Sequence, residues 1–170
     1  MTWTKLSFFS LLLLSLLQGC GIYSFSGVSL PPEAKTFSLS LRSDVALGPP
    51  DLAKRLQQQL GDGLVQRTPL KQVETQGDLQ LSGSIKGFSY ASIMPVQSGQ
   101  GKDSVERLTI EVQLDYINPY DKDASFSKKT FSQHADMAVN TSRSGEENRL
   151  IDDIFTKLVE DIFNETVASW

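Results

Sequence analysis

Arg107-Leu108-Thr109-Ile110-Glu111-Val112-Gln113-Leu114-Asp115-Tyr116 alternates without a break. Leu108, Ile110, Val112, Leu114 and Tyr116 fall on one side, and Arg107, Thr109, Glu111, Gln113 and Asp115 on the other. A period of two in β-compatible residues predicts a strand with one face on a core and one in water. Such a face needs neighbouring strands beside it and a cover above it.

Upstream, Leu79 to Tyr90 supplies a neighbour, with Leu79, Leu81 and Ile85 in phase and Gly83 and Gly87 on the same side. The glycines would leave space against that face. Phe88 and Tyr90 are out of phase with the set, which predicts a bulge or twist near Gly87. Ser98 to Ser104 reads as a turn. Downstream, Asn118-Pro119-Tyr120-Asp121 makes another turn, and Phe126 to Ala135 forms a further strand. There Phe126 and Phe131 have opposite parity, again predicting a bulge. Nearer the amino terminus, Lys35 to Leu41 alternates and reads as the first strand.

Two segments have helical spacing. Asp51 follows Gly48-Pro49-Pro50 and opens the first, with Leu52, Ala53, Leu56, Leu60 and Leu64 on one side. Gly61-Asp62-Gly63 is expected to end it after about three turns. The second carries a broad stripe from Leu150 through Ile154, Leu158 and Ile162 to Val167. Ser144 with Glu147 has capping-box spacing at its start. The reading is an α+β domain: a four-stranded, mainly antiparallel sheet packed on one face by two helices, in the order β-α-β-β-β-α.

The amino-terminal end is of another kind. Lys5 and the amino terminus precede an apolar run, Leu6 to Leu17. At about 1.5 Å per residue that run is too short to anchor across a hydrocarbon core of roughly 30 Å, and it fits the h-region of a secretory signal. Leu17-Gln18-Gly19-Cys20 resembles the bacterial lipobox, in which the cysteine after a small residue becomes the acylated amino terminus. Gln18 departs from the smaller residue usual at that position. Cys20 is the only cysteine, so no intramolecular disulfide can form. The expected organisation is a signal peptide over 1–19, a lipidated amino terminus and tether over 20–34, and one domain over 35–170. Gly21 and Ile22 carry no charge, which resembles lipoproteins sent to the outer membrane, and the expected address is its periplasmic side. Removing Lys5 takes the formal charge from −4 to −5. Nucleic acid is an unsuitable partner for that balance.

Several segments, in order, resemble the LptE family of lipopolysaccharide-assembly lipoproteins in its Bacteroidetes-type form. They are Cys20 to Gly27, Pro31-Pro32 to Phe37, Asp78 to Gly83, Arg107 to Ile110, Phe131 to Asp136, and Glu160 to Trp170. The resemblance implies two helices against a four-stranded sheet in an outer-membrane lipoprotein. Its partner would be an LptD-like β-barrel that inserts lipopolysaccharide into the outer leaflet, which it would help assemble and then plug. A different class of function stays beside it: a lipid-anchored periplasmic module binding a hydrophobic ligand, in the space the two glycines would leave.

No enzyme is expected, because nothing assembles a nucleophile, base and oxyanion donors. No cofactor or metal residues are assigned. His134 and Asp136 read as a partly buried sheet pair, being too few for a structural metal site. Ser125-Phe126-Ser127-Lys128 matches S-x-x-K without the S-D-N and K-T-G that a penicillin-binding site wants. Gly99-Gln100-Gly101, Asp121 and Asp123 read as turns. Arg107, Lys128 and Lys129 are candidate contacts for the phosphates of a lipid headgroup, weighed against an edge-protecting lysine pair. Phe163 and Trp170 are expected to close the core, with a docking end as the other use.

Overall fold

The computed structural model describes residues 30–93, 105–139 and 141–168. The chain runs β1 (Thr36–Ser43), α1 (Leu52–Arg67), β2 (Lys71–Val73), β3 (Leu79–Ile93), β4 (Val105–Ile117), β5 (Phe126–Ala138) and α2 (Arg143–Thr166). The sheet has five strands in the order β2-β1-β3-β4-β5. β1 is parallel to β2 and β3, whereas β3, β4 and β5 are antiparallel neighbours. The parallel pairing of β1 and β3 needs a crossover, and α1 supplies it. The expected α+β class and two-helix cover hold. The four-strand count becomes five, because β2 was missed. Lys71-Gln72-Val73 is three residues long and has no alternation to read.

β4 carries the core as its alternation dictates: Leu108, Ile110, Val112, Leu114 and Tyr116 are all buried. From the helices, Leu52, Leu56, Leu60 and Leu64 of α1 meet Leu150, Ile154, Phe155, Leu158 and Ile162 of α2 in one apolar cluster over the same face. The opposing face of the sheet bears the odd-numbered polar residues of β4.

Both expected bulges are present. The register of β3 on β4 shifts between Ile85 and Gly87, so Lys86 is the extra residue. That shift brings Phe88 opposite Ile110 and Tyr90 opposite Leu108, returning both rings to the helix side. In β5, Phe126 pairs with Tyr116 and Lys129 with Leu114, leaving an extra residue around Lys128. Lys128 has φ of 54°, the left-handed conformation such a bulge demands.

Three local expectations are corrected. The first helix runs on through Gly61 and Gly63 to Arg67. Gly61 is buried there, and a Cβ would stand 2.9 Å from the Gln72 side chain. That neighbour is the movable end of an exposed side chain, and the glycine is simply carried within the helix instead of stopping it. The last helix starts at Arg143, with Ser142 at the cap and no side-chain cap bond. Ser144 lies inside the first turn, and Glu147 accepts a bond from the Tyr90 hydroxyl at 3.0 Å. Gly87 pairs with Glu111 on the polar face, because the bulge has turned it over. Neither strand glycine leaves a gap. The position of a Cβ on Gly83 is taken by the Gln113 carbonyl and Leu114, and one on Gly87 would stand 3.1 Å from the Glu111 side chain.

Candidate functional site

Arg107, Lys128 and Lys129 do not form one basic cluster. Arg107 stands on the polar face of the sheet and grips its cross-strand neighbour Asp136 with two bonds, at 2.7 and 2.8 Å. Lys129 faces the helices, ion-paired with Glu165 and 5.4 Å from the centre of the Phe126 ring. Lys128 is exposed on the bulge, and its backbone N–H donates to Asp115 at 2.9 Å. Asp115 is eight residues along β4 from Arg107, so the two cations are about 26 Å apart at ~3.3 Å per residue. Arg107 and Lys129 are already neutralised, and Lys128 has no ion-pair partner among the described residues. Cys20 and Trp170 lie outside the described residues, as do Gly99 to Gly101.

The remaining sequence candidates serve the fold. His134 and Asp136 share the polar face, but Asp136 is committed to Arg107. Ser125 staples a turn: its hydroxyl accepts the Asn118 N–H at 2.9 Å and lies near the Asn118 and Asp121 carbonyls. Asp121 accepts the N–H groups of Asp123 and Ala124. Phe163 is buried, with the Arg67 guanidinium 3.6 Å above its ring and held there by Glu160. That makes Phe163 a core contact.

Sequence reasoning missed how the sheet is closed at its sides. β2 ends opposite Ser38, which would leave the outer edge of β1 unpaired beyond it. Gln57 of α1 fills part of that gap, its carbonyl oxygen accepting the Leu41 N–H at 2.9 Å. On the far side, Lys157 of α2 donates to the His134 carbonyl at 2.8 Å. A carbonyl lies in the plane of the sheet, so a lysine arriving from the helix layer reaches it only at an outer edge. Asp161 and Glu165, one and two turns further on, hold Gln133 and Lys129 of the same strand. Polar side chains from the helix layer thus occupy a backbone group on each flank of the sheet, a device against edge-to-edge pairing.

What stays open is the polar face. Ser40, Ser82, Ser89, Thr130 and Ser132 are exposed on it. Among the described residues no helix or strand packs over them. The signal was in the sequence, as polar residues, many of them hydroxyl-bearing, at every second position of the strands, but alternation alone says "wet" and nothing about use.

Carboxylates stitch the ends of this sheet. Asp78 accepts the backbone N–H groups of Lys35 and Thr36 and the Thr36 hydroxyl, each at 2.9 Å, tying the start of β1 to the start of β3. These bonds hold its carboxyl below the usual range, the Lys35 amide contributing most. The Lys86 ammonium, helped by Ser84 and Arg42, takes Asp44 down to about 2. Asp115, Asp136, Glu106 and Glu160 are lowered as well, by Ser127, Arg107, Arg143 and Arg67 respectively. A carboxyl whose folded pKa lies below its unfolded value stabilises the fold above the unfolded pKa. That contribution disappears as pH falls toward the folded value. The melting temperature should therefore hold from neutrality to about pH 5 and fall between about pH 4 and 2. Thermal melts across that range check it; a flat profile down to pH 2 would deny these bonds a role.

The model of one protein family, described as LptE, lipopolysaccharide-assembly, matches residues 34–166. No curated protein matches the chain. Among solved structures, an uncharacterized lipoprotein B from Nitrosomonas europaea is 12% identical, with 85% of this chain and 88% of that chain covered and a TM-score of 0.49. The rare lipoprotein B from Shewanella oneidensis is 13% identical, over 77% of this chain and 90% of that one, at a TM-score of 0.45. A minor lipoprotein from Acinetobacter baumannii is 17% identical over 79% and 96%, at 0.43. All three fall below a TM-score of 0.5, too low to carry inference.

Proposed function

The chain belongs to the LptE family of lipopolysaccharide assembly, and from that premise we propose that it is a non-catalytic outer-membrane lipoprotein. In this reading it helps an LptD-like barrel to fold, then plugs that barrel while lipopolysaccharide passes to the outer leaflet. The observation that carries it is the family match over 34–166, which takes in nearly all of the described domain. The collinear segments from Cys20 to the carboxyl terminus support the Bacteroidetes-type form. A transmembrane β-barrel has a polar interior, and a domain with a hydrated exterior suits it. The test is a pull-down of the full chain from detergent-solubilised outer membranes. A large barrel recovered at a one-to-one ratio is the expected result. A chain recovered alone, or carrying only lipid, would sink the proposal.

Anchoring belongs to the same proposal. No described helix is long and apolar enough to cross a membrane, and Cys20 follows a small residue after a short apolar run. We propose removal of residues 1–19, acylation of Cys20, and a tether through residue 34. Each buried methylene of the acyl chains adds ~0.8 kcal/mol to membrane attachment. Cys20→Ala should leave an unprocessed or soluble form. Mass spectrometry that found an unmodified mature terminus elsewhere would overturn this.

Of the three headgroup candidates, Lys128 is the one we retain for direct contact with lipopolysaccharide phosphates. Arg107 and Lys129 would first have to give up Asp136 and Glu165. A photo-crosslinker placed at 128 should capture lipopolysaccharide in cells; its failure to do so, with the barrel complex intact, would remove that contact.

A further inference from the structure

The sheet has two faces of unlike chemistry, and the described fold uses only one. The helix face is apolar and buried, and it takes all the strand aromatics: Phe37, Phe88, Tyr90, Tyr116, Phe126 and Phe131. The other face is paved with short hydroxyls. We infer that this polar face is the surface by which the protein docks on the inner wall of the barrel. The inference rests on the function proposed above and goes beyond it by assigning the contact.

Four observations select the occupant. First, Gln57 and Lys157 each hold one backbone group on the flanks of the sheet, so a partner strand added at those points would have to displace a bond already made. Second, the strands place no aromatic ring on this face among the described residues, and thus no stacking platform for a sugar; its large aliphatic side chains, Ile93, Val105 and Ile117, stand at the two ends of β4 and not across its middle. Serine and threonine instead offer donors and acceptors on short stems, which let a polar wall approach closely. Third, the charges around the face are largely spent within it. Arg107 holds Asp136, and Arg42 and Lys86 share Asp44. Glu111, Asp115 and Lys128 have no ion pair among the described residues, and Asp115 is held instead by the Ser127 hydroxyl and the Lys128 N–H. Few unpaired charges would need to be stripped of water on docking, a step that is costly for isolated ions. Fourth, β1, β3, β4 and β5 together offer roughly 800 Å², taking ~3.3 Å along and ~4.8 Å between strands, about the share each partner contributes to a standard stable interface. A lumen wall of polar side chains meets all four conditions.

The experiment compares the full wild-type chain, in its own outer membrane, with Ser82→Arg, Ser82→Glu and Ser132→Arg. Both positions are exposed, and the two signs of charge at position 82 separate bulk from electrostatics. Lys54→Glu and Asp62→Arg, exposed on α1, serve as controls. The face variants should keep the wild-type melting temperature within a few degrees and retain at most about one tenth of the barrel. The controls should retain it all. A photo-crosslinker at Ser40, which leaves the rest of the face intact, should give a barrel adduct. Wild-type capture by the face variants, loss in the controls instead, or no adduct from position 40 would overturn the inference while leaving the function standing. A purified wild-type dimer that Ser82→Arg dissociates would give the face to a second copy and overturn it too. Failure of the wild type itself to recover a barrel would remove the function, and this inference with it.

Discussion

Phe155→Ala should lower the stability of the domain by about 3–5 kcal/mol, the cost of emptying a large aromatic site in a packed core. Phe155 is fully buried on α2, in the cluster that joins both helices to the sheet. Removing the ring forfeits its transfer out of water and leaves a cavity that the sheet, stiffened by its ladders, fills only in part. A domain of this kind has about 5–15 kcal/mol in all, so the variant would lose roughly a fifth or more of its margin. Denaturant unfolding of the wild type and the variant measures the difference. A loss below about 1 kcal/mol would mean that α2 does not lie on the sheet as described.

How much of this was legible follows the range of the interactions. β4 could be read outright because it is long, paired on both sides and buried on one face, so each residue's side is fixed by a period of two. The bulges were legible as breaks in parity, at Ile85 against Phe88 and at Phe126 against Phe131. The helix stripe from Leu150 to Val167 was equally plain. What failed was decided at a distance. Gly61 and Gly63 read as a stop, but the helix runs through them because Leu60 and Leu64 on either side are buried in the shared core. Glu147 fitted a capping box by spacing, but Tyr90, 57 residues away, takes its carboxylate. Gln57 and Lys157 were simply polar helix residues, since nothing local says that each caps a strand edge. The basic candidates fared similarly. Composition picked out Arg107, Lys128 and Lys129, but only the register shows that two of them face carboxylates and that the bulge puts Lys128 and Lys129 on different sides. The open face was visible as alternating hydroxyls, and its standing as an uncovered surface emerged only once both helices were seen on the other side.

The second large effect is in the cell. If the domain chaperones and plugs its barrel, loss of the protein should strand barrel chains before they close, because a wide sheet with unsatisfied edges cannot persist in lipid. The shortfall should then appear downstream, as lipopolysaccharide that is made but not delivered. An enzyme or a free ligand carrier would leave barrel closure untouched. Substitutions at His134, Asp136 or Ser127 should matter only as far as they destabilise the fold, since Asp136 and Ser127 each serve a contact within the sheet.

The most direct test is the amount of lipopolysaccharide exposed at the cell surface in a strain depleted of this protein and carrying no related lipoprotein. The expected result is a marked fall, restored by the wild-type chain and accompanied by a matching loss of folded barrel. Unchanged surface lipopolysaccharide in that strain would contradict the account.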